Sequence, residues 1–117
     1  MLRIYHNPRC SKSRAALLYL QDCGEEIEII EYLNDRLSIE KLNELLEKLD
    51  CRASDLVRRG EDEFKDNNLK EADEEQMLEA LLQYPKLIER PIIEAEDGAV
   101  IARPLERLIE FLESKND

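Results

Sequence analysis

Two short strands flanking one helix in the first 32 residues constrain this fold more than any other feature of the sequence. Leu2 to Tyr5 is a short apolar strand, broken by the Asn7-Pro8 loop signal. From about Ser11 the pattern turns helical, with Ala15, Ala16, Leu17, Leu18, Tyr19 and Leu20 supplying good formers and an apolar face. Gly24 closes that helix as a C-terminal cap. Ile27 to Tyr32 alternates apolar and acidic residues before Ile30-Glu31-Tyr32, and reads as a second strand. Strand, helix and strand at this spacing form a right-handed parallel crossover unit.

The middle of the chain follows a different rule. Ser38 is placed to cap a helix running to about Leu49, with Leu42, Leu45, Leu46 and Leu49 on one face. A short helix is expected over Ser54 to Arg58. A further helix is expected over Asp73 to Tyr84, with Met77, Leu78, Leu81 and Leu82 inward. Sheet then returns: Pro91-Ile92-Ile93 and Ala99 to Ala102 flank Glu96-Asp97-Gly98, a hairpin turn signal. Pro104 opens a last amphipathic helix that buries Leu105, Leu108, Ile109 and Leu112. The expectation is an α/β fold with a thioredoxin-like β-α-β / β-β-α core of four mixed strands. A central helical insertion spans about 36–88, and a chain of 117 residues suits a single domain, 1–117.

Composition narrows the class of function. Hydrophobic residues make up 43% and charged residues 38%, the balance of a globular chain. No apolar run approaches the roughly 20 residues of a spanning helix, so no membrane is expected. The N-terminus has no long apolar signal segment, which points to the cytoplasm. A net charge of −11 speaks against nucleic acid as a ligand. Three cysteines without framework spacing suggest reduced thiols, and one histidine without a Cys-x-x-Cys pair suggests no metal site.

One segment contradicts that acidic character. Met1 to Gln21 contains none of the chain's 28 acidic residues and carries Arg3, Arg9, Lys12 and Arg14 around Cys10. Cys10 falls between a strand and a helix, where the helix dipole and unpaired N–H groups favour an anion. That setting lowers a thiol pKa from about 8.5 to below about 7.5. The chemistry is a nucleophilic sulfur beside an anion pocket. His6, on the loop side, either tunes the thiolate or is an ordinary loop histidine.

Position 13 is informative because a dithiol redox site would carry cysteine there, and the chain reads Cys10-Ser11-Lys12-Ser13. Cys23 lies about 13 largely helical positions on, nearly 20 Å at about 1.5 Å each. A disulfide needs Cα atoms within about 7 Å. Spacing leaves Cys51 open as a partner, although it falls between two helices of the insertion. The simplest reading is that an external thiol finishes the redox cycle, and bland roles are expected for Cys23 and Cys51. A tyrosine-phosphatase-type loop would place arginine at position 16, where the chain has Ala16.

Arg58, Arg90 and Arg103 lie at element boundaries, two of them before proline, which holds their backbone extended. Pro91 opens the third strand, where a cis peptide is expected. Guanidinium forks suit tetrahedral oxyanions, and surface ion pairing is the plain alternative.

Together, "YHNPRCSKSR", "LVRR" at Leu56–Arg59, "LIERPII" at Leu87–Ile93 and "ARP" at Ala102–Pro104 resemble the glutaredoxin-dependent arsenate reductases. The resemblance implies Cys10 as nucleophile, His6 as its tuning neighbour, and Ser13 as a serine near it. It also implies Arg58, Arg90 and Arg103 as oxyanion-binding residues, and Arg14 from the basic loop is expected to join them. In the implied mechanism Cys10 attacks arsenate, glutathione follows as co-substrate, glutaredoxin resolves the mixed disulfide, and arsenite leaves. No bound cofactor or metal is implied, and a monomer is expected. The wider group also contains Spx-type regulators of RNA polymerase. A non-catalytic interaction protein and a monothiol glutathione-linked reductase therefore stand as alternatives.

Overall fold

The computed structural model describes residues 1–115. They separate into two compact units, one made of Met1–Asp35 with the segment from Arg90 onward, the other of Arg36–Glu89.

The first unit holds a four-stranded sheet. Its strands are β1 (Leu2–Tyr5), β2 (Ile27–Ile30), β3 (Ile92–Ala95) and β4 (Gly98–Ile101), in the order β2-β1-β3-β4. β1 pairs parallel with β2, Leu2 opposite Ile27, and antiparallel with β3, Ile4 opposite Ile93. β3 and β4 form an antiparallel hairpin closed by Ala95 opposite Gly98. Helices α1 (Ser11–Asp22) and α6 (Leu105–Lys115) complete the unit. Alternation puts Leu2 and Ile4 of β1 and Ile93 and Ala95 of β3 on one face. That face forms one core with Ala16 and Leu20, four residues apart on α1, and with Leu108 of α6. Burying a side chain such as Leu20 or Leu108, both 0% exposed, contributes about 1.5–3 kcal/mol. The reverse face carries a polar pair: Tyr5 Oη donates to Glu94 Oε1 at 2.7 Å, with Arg3 Nη1 at 3.6 Å from the same oxygen.

Three boundaries differ from the sequence expectation. β2 stops at Ile30, because Asn34 and Asp35 both donate backbone N–H bonds to Glu31 O and turn the chain off the sheet; Tyr32 is nevertheless buried. Gly98 belongs to β4, leaving Glu96-Asp97 as a two-residue connection. The last helix starts at Leu105, one residue beyond Pro104. Gly24 stands at φ +73° just past the C-cap Cys23, in the left-handed region that glycine occupies without penalty.

The second unit is helical among its described residues: α2 (Ile39–Leu49), α3 (Ala53–Leu56), α4 (Asp62–Asp66) and α5 (Glu74–Gln83), with 3-10 turns at Leu69–Glu71 and Pro85–Leu87. Ser38 Oγ accepts from Lys41 N at 3.1 Å, capping α2. Asp73 and Gln76 form a reciprocal capping box that starts α5. The expected helix over Ser54 to Arg58 is a correction, since α3 ends at Leu56. Val57 and Arg58 are drawn out instead by an antiparallel bridge: Arg58 N donates to Leu87 O and Glu89 N to Leu56 O. α4 was not foreseen, since Phe64 is the one buried residue in its five and leaves no periodic signal. Among the described residues no helix is long and apolar enough to cross a membrane.

Candidate active site

The loop between β1 and α1 is built on Asn7. Its side-chain Oδ1 accepts from Arg9 N at 3.0 Å, its carbonyl accepts from Cys10 N at 3.0 Å, and its own N–H donates to Ser13 Oγ at 3.0 Å. An asparagine folding the two residues after it is an Asx-type turn, and Pro8 in the turn suits that curvature. His6 N still donates to Ile30 O, so the parallel ladder runs up to the loop before the chain turns. Cys10 arrives as the N-cap of α1, with extended backbone (φ −96°, ψ 122°) and its carbonyl accepting the Arg14 N–H.

Cys10 is half-buried. Burial alone would push its thiol pKa up, but the opposing influences prevail and it lies below the ordinary thiol range. Those influences are the backbone N–H of Ser13, a hydrogen bond from the Arg90 side chain, the backbone N–H of Lys12, and the positive charge of Arg90. Cys10 makes no full capping bond as a thiol, yet these amides lie close enough to stabilise it as a thiolate. The result is the anion site of a helix N-terminus occupied by sulfur and reinforced by a guanidinium.

Ser13 is 0% exposed and His6 is 6% exposed. His6 Nδ1 lies 2.7 Å from Ser13 Oγ. Among the described residues no hydrogen bond joins His6 to Cys10. The histidine braces the first turn of α1 through Ser13, whose backbone N–H faces the sulfur. Burial pushes the His6 pKa down, Glu31 opposes that, and Arg14 adds to it, so the net shift is downward. A neutral imidazole suits this contact, because Ser13 Oγ–H can donate to Nδ1 while Oγ accepts from Asn7. Ser13→Ala removes the partner of one buried N–H and one buried imidazole. It is expected to cost about 2 kcal/mol of stability, read from the urea midpoint at constant m-value.

The arginines fall in different places. Arg90 reaches Cys10, as described. Both the Arg90–Pro91 and Arg103–Pro104 peptides are cis. Arg103 follows β4 in the same unit, and its guanidinium makes no hydrogen bond or ion pair among the described residues. Arg14 donates from Nη1 to Pro8 O at 3.0 Å, tying the loop to the first turn of α1. Arg58 belongs to the second unit, where its Nε lies 3.7 Å from Glu61 Oε1 and its Nη1 is buried without a hydrogen-bond partner among the described residues.

Cys23 and Cys51 are free thiols. Cys51 is the electrostatic opposite of Cys10: burial, then Asp55 and Asp50, raise its pKa. Among the described residues no group of His, Cys, Asp or Glu could hold a metal ion. Sequence reasoning passed over Asn7, seen only as a loop marker, and Glu31, seen only as a strand residue. The Asn-Pro dipeptide did carry a usable signal, since an Asx turn predicts that the asparagine side chain folds the residues after it.

Residues 5–111 match the ArsC family. The chain is 41% identical over 114 residues to the uncharacterized protein YfgD of Escherichia coli, covering 95% of this chain and 96% of that one. It is 37% identical over 110 residues to an arsenate reductase of Neisseria meningitidis, covering 92% and 94% of the two chains. Its structure resembles that of an arsenate reductase from Vibrio cholerae with a TM-score of 0.88 and 36% identity, covering 93% and 95%.

Proposed function

The chain belongs to the ArsC family, and on that premise we propose that it reduces arsenate to arsenite through the Cys10 thiolate, with glutathione and a glutaredoxin completing the cycle. One observation carries the reading: two backbone amides and the Arg90 guanidinium converge on a single thiol and favour its charged form. The same donors suit an oxyanion brought against the sulfur. The similarity to arsenate reductases of Neisseria meningitidis and Vibrio cholerae supports arsenic as the electrophile.

In the proposed reaction the Cys10 thiolate attacks As(V), forming an S–As bond while one arsenate oxygen leaves as water. A glutathione thiolate then attacks the Cys10 sulfur. The S–As electron pair stays on arsenic, which departs as As(III) in arsenite, and Cys10 is left in a mixed disulfide with glutathione. A glutaredoxin thiol takes up the glutathione and frees Cys10. The net change is arsenate plus two thiols to arsenite, one disulfide and water. Arg90, with Arg103 and Arg14 as further donors, would offset the oxyanion's charge. His6 and Ser13 hold the turn that aims the amides. No bound cofactor enters the scheme. The protein would act as a monomer in the cytoplasm, where reduced glutathione is abundant.

NADPH oxidation in the presence of arsenate, glutathione, glutaredoxin and glutathione reductase tests this directly. Turnover that requires both arsenate and glutaredoxin is expected. Turnover of a glutathionylated protein with none on arsenate would replace this reading with that of a monothiol reductase.

A further inference from the structure

We propose that a cleft beside the Cys10 loop binds the zwitterionic γ-glutamyl end of glutathione, with Arg9 taking its α-carboxylate and Glu31 its α-ammonium. This rests on glutathione being the co-substrate proposed above. The cleft has a volume of about 260 Å³ and lies wholly within the first unit, between the run His6 to Arg9 and the turn after β2 that holds Glu31, Leu33 and Asn34.

Its lining has the chemistry of an amino-acid head group. Arg9 supplies a cation from the acid-free segment, and Glu31 is the one carboxylate among the lining residues. Neither side chain forms an ion pair or side-chain hydrogen bond with the described residues, so both charges are available to a ligand. A single oxyanion would use Arg9 and be repelled by Glu31. A ligand carrying ammonium and carboxylate together uses both. Leu33 offers apolar surface to the glutamyl methylenes, and the Asn34 amide can meet a peptide group.

The position also serves the reaction. The lining run His6 to Arg9 leads directly into the nucleophile, since Arg9 is the residue before Cys10. From the glutamyl head, the cysteinyl sulfur of glutathione lies about two residue lengths away, roughly 7 Å. A head group anchored here can therefore bring that sulfur to the mouth of the α1 N-terminus. The cleft would then distinguish glutathione from a small uncharged thiol by charge pairing.

The test needs neither arsenate nor turnover. Full-length protein carrying Cys10→Ser, which cannot form a mixed disulfide, is titrated with S-methylglutathione and followed by amide chemical shifts. Shifts are expected at residues 6–9 and 31–34. An N-acetylated analogue and an analogue with its glutamyl α-carboxylate amidated should each bind about tenfold more weakly. Glu31→Gln should weaken the parent ligand about tenfold and abolish the further penalty of N-acetylation. Arg9→Ala should do the same for the amidated analogue. Loss of that pairing between variant and analogue, shifts confined to another surface, or no binding at all would overturn the proposal. No binding alongside intact arsenate turnover by the parent protein overturns the cleft alone. An intact pairing alongside absent arsenate turnover by the parent protein overturns the arsenate reading alone.

Discussion

Cys10→Ser should lower arsenate reduction by at least about 10⁴-fold, the scale of loss when an enzyme is deprived of its nucleophile. A serine hydroxyl is almost fully protonated at neutral pH, and it cannot form the S–As bond or the mixed disulfide through which the electrons pass. Steady-state NADPH oxidation in the coupled system measures the loss. The same assay on Cys23→Ser and Cys51→Ser provides the contrast, with turnover expected to stay near wild type. Cys51 is held as a thiol by burial and by Asp55 and Asp50, and Cys23 lies exposed at the C-terminal end of α1, the opposite end from Cys10. Retention of turnover in Cys10→Ser, or its loss in Cys51→Ser, would move the nucleophile elsewhere.

Arg90→Ala should have the second largest effect, about 10²- to 10³-fold on turnover, comparable to removing one preorganised oxyanion donor. It should also raise the Cys10 pKa, because Arg90 lowers it twice over, by hydrogen bond and by charge. The rate of Cys10 alkylation against pH, in a background of Cys23→Ser and Cys51→Ser, reads that shift. In the parent the midpoint should lie below the free-thiol value of about 8.5; in Arg90→Ala it should move upward. Arg90→Lys should restore part of the charge and little of the forked geometry. Added sulfate or arsenate should raise the parent midpoint, because a second negative charge disfavours the thiolate. The same group carries a stability term of definite sign. Its folded pKa is depressed, so its contribution is fully present above about pH 8.5 and is lost as pH falls through the folded pKa. An alkylation midpoint indifferent to Arg90 would remove the physical basis for a shared thiolate and oxyanion site.

Much of the fold was legible because burial repeats with the period of each element. Ile4 and Leu2, Ala16 and Leu20, and Ile93 and Ala95 each reach the core at their own spacing. Those spacings carry the parallel crossover, the hairpin and the last helix. Elements without a period were invisible: α4 with its single buried Phe64, and the bridge that draws Val57 and Arg58 out of the expected helix. Both depend on partners distant in sequence, and local propensity is too weak to override them.

The site divides along the same line. Composition by itself determined that a basic, acid-free segment surrounds a lone thiol in an otherwise acidic chain, and that no second thiol stands three residues on. Those are statements about which groups exist, and charge and nucleophilicity follow from residue type alone. Which groups meet was decided by tertiary structure. Arg90, two residues ahead of the third strand, contacts Cys10. His6, read from its spacing as a possible neighbour of the sulfur, is buried against Ser13. Ser13, read as the absence of a cysteine, anchors the turn through its hydroxyl and turns its backbone N–H toward the thiolate. Such contacts are set by the Asn7 turn and by the β1–β3 register, which fix directions to within the reach of a hydrogen bond. Residue spacing along the chain does not encode direction at that scale.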